Sequence, residues 1–123
     1  MAGILRRGRL KGSMPPEVWE YLSSMNADQE IFRADLLVDY AHMVMLIERG
    51  IVPRREGGRI LSALAKIEGE GYELLRDSVE SEDIHEAIES RLIELLGEEV
   101  GGWIQTARSR NDEVAACIRL TLR

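Results

Sequence analysis

Apolar residues recur along this chain at intervals of three and four positions, the spacing that gathers them on one face of an α-helix. A sustained alternation of β-branched and polar residues, which is typical of strands, does not occur in the sequence. The pattern predicts helices over about 16–23, 26–49, 53–71, 84–96 and 110–123. We therefore expect an all-α protein.

The predicted helix boundaries depend on capping residues and glycines. The segment Asn26-Ala27-Asp28-Gln29 is typical of a helix start, and Gly50 is expected to end that helix. Asp83 and Glu86 form a predicted capping box, and Gly97 ends the helix that follows. The buried faces predicted for the three long helices consist of Leu37, Tyr40, Ala41, Val44 and Ile47; of Ile60, Leu61, Leu64, Ile67 and Gly71; and of Ile84, Ile88, Leu92 and Leu95.

The last predicted helix has no stop signal. Val114, Ile118 and Leu122 form its apolar stripe, and the sequence reaches Arg123 without a glycine, asparagine or proline that would end the helix. We interpret the chain as the N-terminal piece of a longer protein. The alternative is a natural chain whose last helix frays.

The composition bounds the kinds of site that the chain can hold. Its 123 residues suffice for one domain, and 45% hydrophobic with 31% charged residues argues against wholesale disorder. A single cysteine, Cys117, excludes an internal disulfide framework and a cysteine-based zinc site. The chain has two histidines, so a histidine-rich metal site is not expected, and we interpret His42 as a hydrogen-bonded packing residue.

The net charge of −6 is unevenly distributed. Arg6, Arg7, Arg9 and Lys11 form a basic arm, whereas the remainder of the chain is acidic. Such an arm can contact nucleic acid or anionic lipid, but an acidic body repels both, and aromatic residues, at 5%, are too sparse for base stacking. No signal peptide and no span of roughly 20 apolar residues is recognisable. We expect a soluble, cytoplasmic chain without a nucleic-acid or membrane partner.

Residues 106–112, T-A-R-S-R-N-D, carry the strongest chemical signal. Ser109 and Asp112 predict a capping box, so that free backbone N–H groups and the positive end of the helix dipole converge at this turn. Two arginines flank the serine and an asparagine follows, a combination suited to binding a carboxylate or phosphate. Because the arginines oppose the dipole, they favour an anionic ligand; the alternative is an exposed basic turn with an ordinary cap.

Residues 82–89, E-D-I-H-E-A-I-E, have a partial likeness to a metal cluster. However, His85 and Glu89 are one suitably spaced histidine–carboxylate pair, and one pair does not make a metal site. Capping and the helix dipole account for the acidic residues at this helix start. We therefore interpret the segment as structural, and we expect no metal and no cofactor.

Three segments in this order resemble the argininosuccinate lyase family. Residues 106–112 match its T-[AG]-R-S-R-N-D segment, and residues 82–89 match its E-D-[IV]-H-x-x-x-E stretch. The remaining similarities lie earlier: Ser24 to Asp28, Asp35 and residues 41–46 are similar to its S-x-x-x-D…D…A-H-x-x-M-L beginning, and residues 7–10 match its G-G-R-F opening loosely.

The resemblance implies an N-terminal helical domain of the fumarase/aspartase superfamily over residues 1–107 and the first helix of a central helical bundle over residues 108–123. It implies cleavage of argininosuccinate to arginine and fumarate by β-elimination, without a cofactor, in arginine biosynthesis or the urea cycle. The family's proteins are homotetramers whose sites combine residues from three subunits. Its base, a serine in a G-S-S-x-M-P-x-K-x-N loop, and its acid, a histidine in a T-H segment, match nothing in this sequence. These 123 residues alone are therefore expected to be inactive.

The resemblance assigns no catalytic residue and no metal ligand to this chain. The substrate-binding residues that it implies are Ser24, Thr106, Arg108, Ser109, Arg110 and Asn111. The chain has Gln105 where the family usually has histidine, and glutamine does not titrate near neutral pH. Another lyase of the superfamily and a non-catalytic structural relative, like the lens crystallins related to this family, remain alternatives; Gln105 mildly supports the second.

Overall fold

The computed structural model describes residue 12 and residues 14–123. This part of the chain contains helices and no strand, which confirms the all-α prediction. In chain order the helices are α1 (Pro16–Leu22), α2 (Met25–Asp28), α3 (Phe32–Glu48), α4 (Arg54–Glu70), α5 (Tyr72–Ser78), α6 (Ile84–Leu96), α7 (Glu98–Gly101) and α8 (Arg110–Leu122). The predicted basic arm, including residues 7–10, lies outside the described residues, and the predicted division at residue 107 stays a prediction.

The apolar core lies where α3, α4 and α6 pack against one another. Each fully buried aliphatic side chain contributes roughly 1.5–3 kcal/mol to folding. The predicted faces of α4 and α6 are confirmed in their central residues: Ile60, Leu64, Ile67, Ile84, Ile88 and Leu92 are all buried. Helix α8 also packs against α3.

The helix predicted over 26–49 is wrong at its beginning. The chain forms the short helix α2, then a 3-10 turn over Gln29–Ile31, and α3 starts only at Phe32. The physical reason lies in Asp28, whose side chain does not cap its own segment. Its Oδ2 atom accepts a hydrogen bond from the backbone N–H of Ile84 at 2.9 Å, so this carboxylate holds the start of α6 instead.

Of the face of α3 predicted to be buried, Tyr40 and Ile47 are half-buried against the core, whereas the other three residues are wrong. Leu37 and Val44 are 52% and 42% exposed, and Ala41 is exposed as well. The residues of α3 that are buried include two aspartates, Asp35 and Asp39. The other buried residues are apolar: Ala34, Leu36, Met43 and Leu46. The aspartates can be buried because α6 and the turn before α8 supply cationic partners, described below.

The sequence pattern does not predict α5 and α7. Each follows a glycine with a φ of 86°, Gly71 or Gly97, a conformation that glycine adopts without the steric cost of a Cβ atom. Gly97 ends α6 as predicted, whereas Gly71, predicted as part of a buried face, ends α4. Among the described residues, every helix is too short or too polar to traverse a bilayer.

Candidate functional site

The three segments that carry the family resemblance meet at the N-terminus of α6. The backbone N–H of Ser24 donates to the carbonyl oxygen of Glu82 at 2.8 Å. From the other side, Nη1 of Arg110 lies 3.0 and 3.2 Å from the two carboxylate oxygens of Asp83. Segments far apart in the sequence are thus held around one helix start.

The capping box predicted at the start of α6 is formed in its first half, the side-chain cap by Asp83, and its second half is displaced by one residue. Asp83 Oδ1 accepts a hydrogen bond from the backbone N–H of Glu86 at 2.8 Å. The carboxylate of Glu86 in turn accepts from the backbone N–H of Glu82 at 3.0 Å, one residue before the cap. Asp83 therefore fixes the helix start and pairs with Arg110 at the same time.

Ser24 is exposed, and its hydroxyl already has an acceptor within the chain. Its Oγ donates to Asp28 Oδ2 at 2.7 Å, and the carbonyl oxygen of Glu82 lies 3.4 Å away. A hydroxyl has one proton to donate and two lone pairs that accept. Ser24 can therefore accept from a ligand as it stands, and it can donate to a carboxylate ligand only by releasing Asp28.

The turn before α8 has a backbone conformation that is disfavoured for its sequence. Ala107 has a φ of 57°, the one positive φ of a non-glycine residue in the described part of the chain. This conformation costs an L-residue about 1–2 kcal/mol. The carbonyl oxygen of Thr106 accepts a hydrogen bond from Nε2 of His42 at 2.8 Å, which holds one side of the turn and confirms His42 as a hydrogen-bonded packing residue.

Helix α8 begins at Arg110, directly after Ser109, as the sequence predicts. The predicted capping box is wrong, however, because the side chain of Ser109 makes no capping hydrogen bond. Asp112, the other half of that box, lies 3.9 Å from Nε of Arg108. Ser109 and Asn111 are both exposed. The Ser109 hydroxyl does not accept a hydrogen bond from the first backbone N–H groups of α8.

The side chain of Arg108 has no exposed surface. Its Nη1 donates to Asp39 Oδ1 at 2.8 Å and lies 3.5 Å from the carbonyl oxygen of Ile104. Its Nη2 forms an ion pair with Glu113 Oε1 at 3.4 Å. Arg108 is therefore neutralised by carboxylates of α3 and α8.

Arg110 differs from Arg108 in being 24% exposed. Besides Asp83 it has Glu89 as a partner, 3.8 Å from its Nη2. Both arginines of the turn are thus paired with carboxylates of this chain. The sequence-based argument that these arginines favour an anionic ligand because they oppose the helix dipole loses its premise, since carboxylates of this chain already balance both of them.

A buried-charge cluster lies between α3, α6 and α8 and consists of Asp35, Asp39, His85, Arg108 and Glu113. Nδ1 of His85 lies 2.9 Å from Asp35 Oδ1 and 3.3 Å from Glu113 Oε1. Three carboxylates therefore face two side chains that can be cationic. Charge balance favours the retention of one proton among the carboxylates, because an uncompensated charge is costly in a buried site.

Burial and ion pairing together set the pKa values in this cluster. Burial raises the pKa of Asp35 to about 6, against the opposing contact with His85, and it also raises the pKa of Asp39 well above its usual range. Burial opposes the charged form of His85, but contacts with Asp35 and Glu113 outweigh it and raise the pKa to about 10. For Glu113, burial is outweighed by His85 and Arg108, which lower the pKa to about 2.

Two groups of side chains in this region have ligand atoms close enough for a metal ion. Asp35, His85 and Cys117 form one group, and Asp35, Asp39 and Glu113 form the other, each with these atoms within 4.8 Å of one another. Burial raises the pKa of the Cys117 thiol, and a protonated thiol is a poor metal ligand. Because the cluster also balances charge from its own side chains, we assign it a structural role.

No protein-family model matches the chain. Its sequence is similar to the argininosuccinate lyase of Methanosarcina mazei, with 56% identity over 123 residues, which are 100% of this chain and 25% of that protein. The argininosuccinate lyase of Haloarcula marismortui is 52% identical over 120 residues, which are 98% of this chain and 23% of that protein. The argininosuccinate lyase of Methanocaldococcus jannaschii is 48% identical over 120 residues, 98% of this chain and 25% of that protein.

The chain thus spans about a quarter of the length of these curated relatives. The match lies in their N-terminal quarter. It includes residues 24–28, 82–89 and 106–112, so the resemblance inferred from those motifs is confirmed. Over its full length, this chain is related in sequence to the N-terminal quarter of the argininosuccinate lyases.

Proposed function

We propose that this chain supplies part of the substrate-binding surface of an argininosuccinate lyase, which cleaves argininosuccinate to arginine and fumarate by β-elimination. One observation carries the proposal. The segments that contain Ser24, Asp83 and Arg110 meet at the start of α6, and Ser109 and Asn111 are exposed in the adjoining turn. The identity to archaeal lyases over the full chain supports the same assignment.

The chemistry of the elimination explains why such a turn is useful. Removal of a proton from a carbon next to a carboxylate concentrates negative charge on the succinyl part of the intermediate. Hydrogen-bond donors fixed beforehand at that position stabilise the charge. The side-chain amide of Asn111, the hydroxyl of Ser109 and the N–H groups that begin α8 are the donors that we assign to the succinyl carboxylates. The hydroxyl of Ser24 joins them when it releases Asp28.

The resemblance also implies roles for the remaining residues of the turn. The side chain of Arg110 is 24% exposed while it pairs with Asp83, and we assign its guanidinium as a further donor to an anion. Thr106 and Arg108 belong to the same turn, and a role for Arg108 is developed below. The proposal includes the cytoplasmic homotetramer and the place in arginine biosynthesis that the resemblance implies.

The proposed acid and base are a histidine and a serine of sequence patterns that do not occur in these 123 residues. We therefore expect the purified chain to release no fumarate from argininosuccinate. Measurable turnover by the chain alone would contradict this division of roles.

A chimeric enzyme tests the proposal directly. The matching N-terminal quarter of the Methanosarcina mazei lyase is replaced by this chain, and fumarate release from argininosuccinate is followed by ultraviolet absorbance. We expect the chimera to turn over substrate. Asn111→Ala in the chimera should lower kcat by about 10²–10³-fold, the effect of losing one oxyanion donor.

The matched control is Ser62→Ala, an exposed serine on α4 outside the proposed surface, which should leave kcat unchanged. A chimera that folds and assembles but has no activity would contradict the proposal. That outcome would favour a non-catalytic relative, the alternative to which Gln105 lends mild support.

A further inference from the structure

The side chain of Arg108 is fully buried, whereas that of Arg110 in the same turn is 24% exposed. Its neighbours Ser109 and Asn111 are exposed. An anion arriving from solvent can therefore contact the guanidinium only if Arg108 leaves Asp39 and Glu113. Leaving would strand the buried Asp39 without its cation and would remove one of the two cationic partners of Glu113, which is strongly unfavourable.

The turn that Arg108 anchors depends on outside support. Ala107 lies in the left-handed region at a φ of 57°, which is disfavoured for a residue with a Cβ atom and persists where the surroundings hold it. The hydrogen bond from His42 to the Thr106 carbonyl holds the preceding peptide, and Arg108 holds the following one. Ser109 comes directly after this anchor, so its position depends on it.

We propose that Arg108 is a positioning residue for the elimination: its contacts with Asp39 and Glu113 fix the turn and thereby the places of Ser109 and Asn111, and it does not touch the substrate. This inference rests on the proposed function. The contacts themselves lie within the chain, so the anchoring can be measured without any assay of activity.

The variants must separate anchoring from simple loss of stability. Arg108→Met leaves Asp39 buried and unpaired, which alone would destabilise the fold. The double variant Arg108→Met/Asp39→Asn removes that unpaired charge and leaves His85 to pair with Glu113 and Asp35. Arg91→Met is the control, because Arg91 pairs with Glu70 and Glu94 at the other end of α6.

The first experiment uses the 123-residue chain and measures amide hydrogen exchange by NMR. In the double variant we expect exchange at Ser109 and Asn111 to be at least about tenfold faster through local opening, with no change at Leu64 in the core. Arg91→Met should change neither region. Unaltered exchange at the turn in the double variant would overturn the proposal.

The second experiment uses the chimera with the Methanosarcina mazei lyase. We expect the double variant to lower kcat by about 100-fold, the scale of a misplaced catalytic geometry, with KM changed by less than about threefold. If the double variant has the stability and the kcat of the parent chimera, Arg108 is merely structural and the proposal is wrong. If KM rises while kcat is unchanged, Arg108 binds the substrate directly, which also contradicts the proposal. An inactive parent chimera would reject the proposed function, and the exchange experiment would still decide the anchoring.

Discussion

Helix α3 joins two interiors of opposite character. Its C-terminal half contributes Met43 and Leu46 to the apolar core shared with α4 and α6. Its N-terminal half contributes Asp35 and Asp39 to the buried-charge cluster, whose cationic members come from α6 and from the turn before α8. These four side chains are all almost completely buried, so the exposed fraction alone does not distinguish the aspartates from the apolar residues.

The two halves differ in how they specify their partners. Apolar burial depends on area and has no preferred direction, so it stabilises the fold and tolerates repacking. Ion pairs in a buried site depend on distance and angle, and an unsatisfied member is costly. The proposed binding turn is attached to the directional half, which indicates that geometry is fixed by polar contacts while stability comes from the apolar half.

The largest expected effect lies in the apolar core, to which Leu64 of α4 belongs. Leu64→Ala should lower the free energy of unfolding of the chain by about 2–5 kcal/mol, because a fully buried side chain leaves a cavity. Urea unfolding followed by circular dichroism measures the change. The control is Leu74→Ala on α5, where the side chain is 48% exposed and the cost should stay below about 0.5 kcal/mol. Equal costs at both leucines would contradict the assigned core.

The buried-charge cluster should make the unfolding free energy of the chain depend on pH. The pKa of His85 is raised to about 10, so the folded chain holds a proton that the unfolded chain loses above its ordinary value near 6.5. This contribution to stability is complete below pH 6.5 and is lost as pH rises through about 10, with a slope of up to about 1.4 kcal/mol per pH unit. His85→Gln should flatten the fall in unfolding free energy between pH 6.5 and 9. Parallel profiles for the variant and the parent would rule out a charged His85.

A smaller loss of stability is expected where α7 packs closely on α6. A Cβ atom at Gly101 would lie 2.8 Å from the backbone of Ile93, so Gly101→Ala should cost about 1–3 kcal/mol through overpacking. Gly102→Ala is the matched control, since a Cβ atom there meets nothing within 4 Å. Thermal unfolding of the two variants side by side measures the difference, and indistinguishable melting temperatures would refute the close approach.

The smallest effect is expected at the strained turn. Ala107→Gly relieves a left-handed conformation that costs about 1–2 kcal/mol, but glycine adds about 0.5–1 kcal/mol of freedom to the unfolded chain. The variant should therefore be as stable as the parent or up to about 1.5 kcal/mol more stable. Ala65→Gly, on the exposed side of α4, should instead lose about 0.5–1 kcal/mol. A similar loss at Ala107 would mean that its backbone is not strained.

Sequence reasoning predicts those features that depend on neighbouring or periodic residues. The helices α4 and α6 follow from their apolar spacing, and the cap at Asp83 follows from Glu86 three positions later. The motif around residues 106–112 identifies the turn for the same reason, since its residues are adjacent. Each of these signals is complete within about one helix length.

The charged interior could not be predicted, because its partners come together only through the fold. Asp39 and Arg108 are 69 positions apart, and Asp35 and Cys117 are 82 apart. A rule that buries apolar residues therefore selects Leu37 and exposes the aspartates. The one signal available is that the two aspartates are spaced by four positions within residues 34–41, which hold no other charged residue.

The pairing of both arginines in the turn determines how an anion would find it. Arg108 and Arg110 each face carboxylates of the same chain, so little of their charge extends into solvent, and the net charge of the chain is −6. Long-range attraction of a negatively charged ligand therefore cannot come from these residues. Recognition would begin at hydrogen-bonding range, well inside the screening length of about 8–10 Å in physiological salt. Because the net charge of −6 repels an anion and salt screens that repulsion, the rate of ligand arrival at this turn should rise with ionic strength, whereas attraction by these arginines would make it fall.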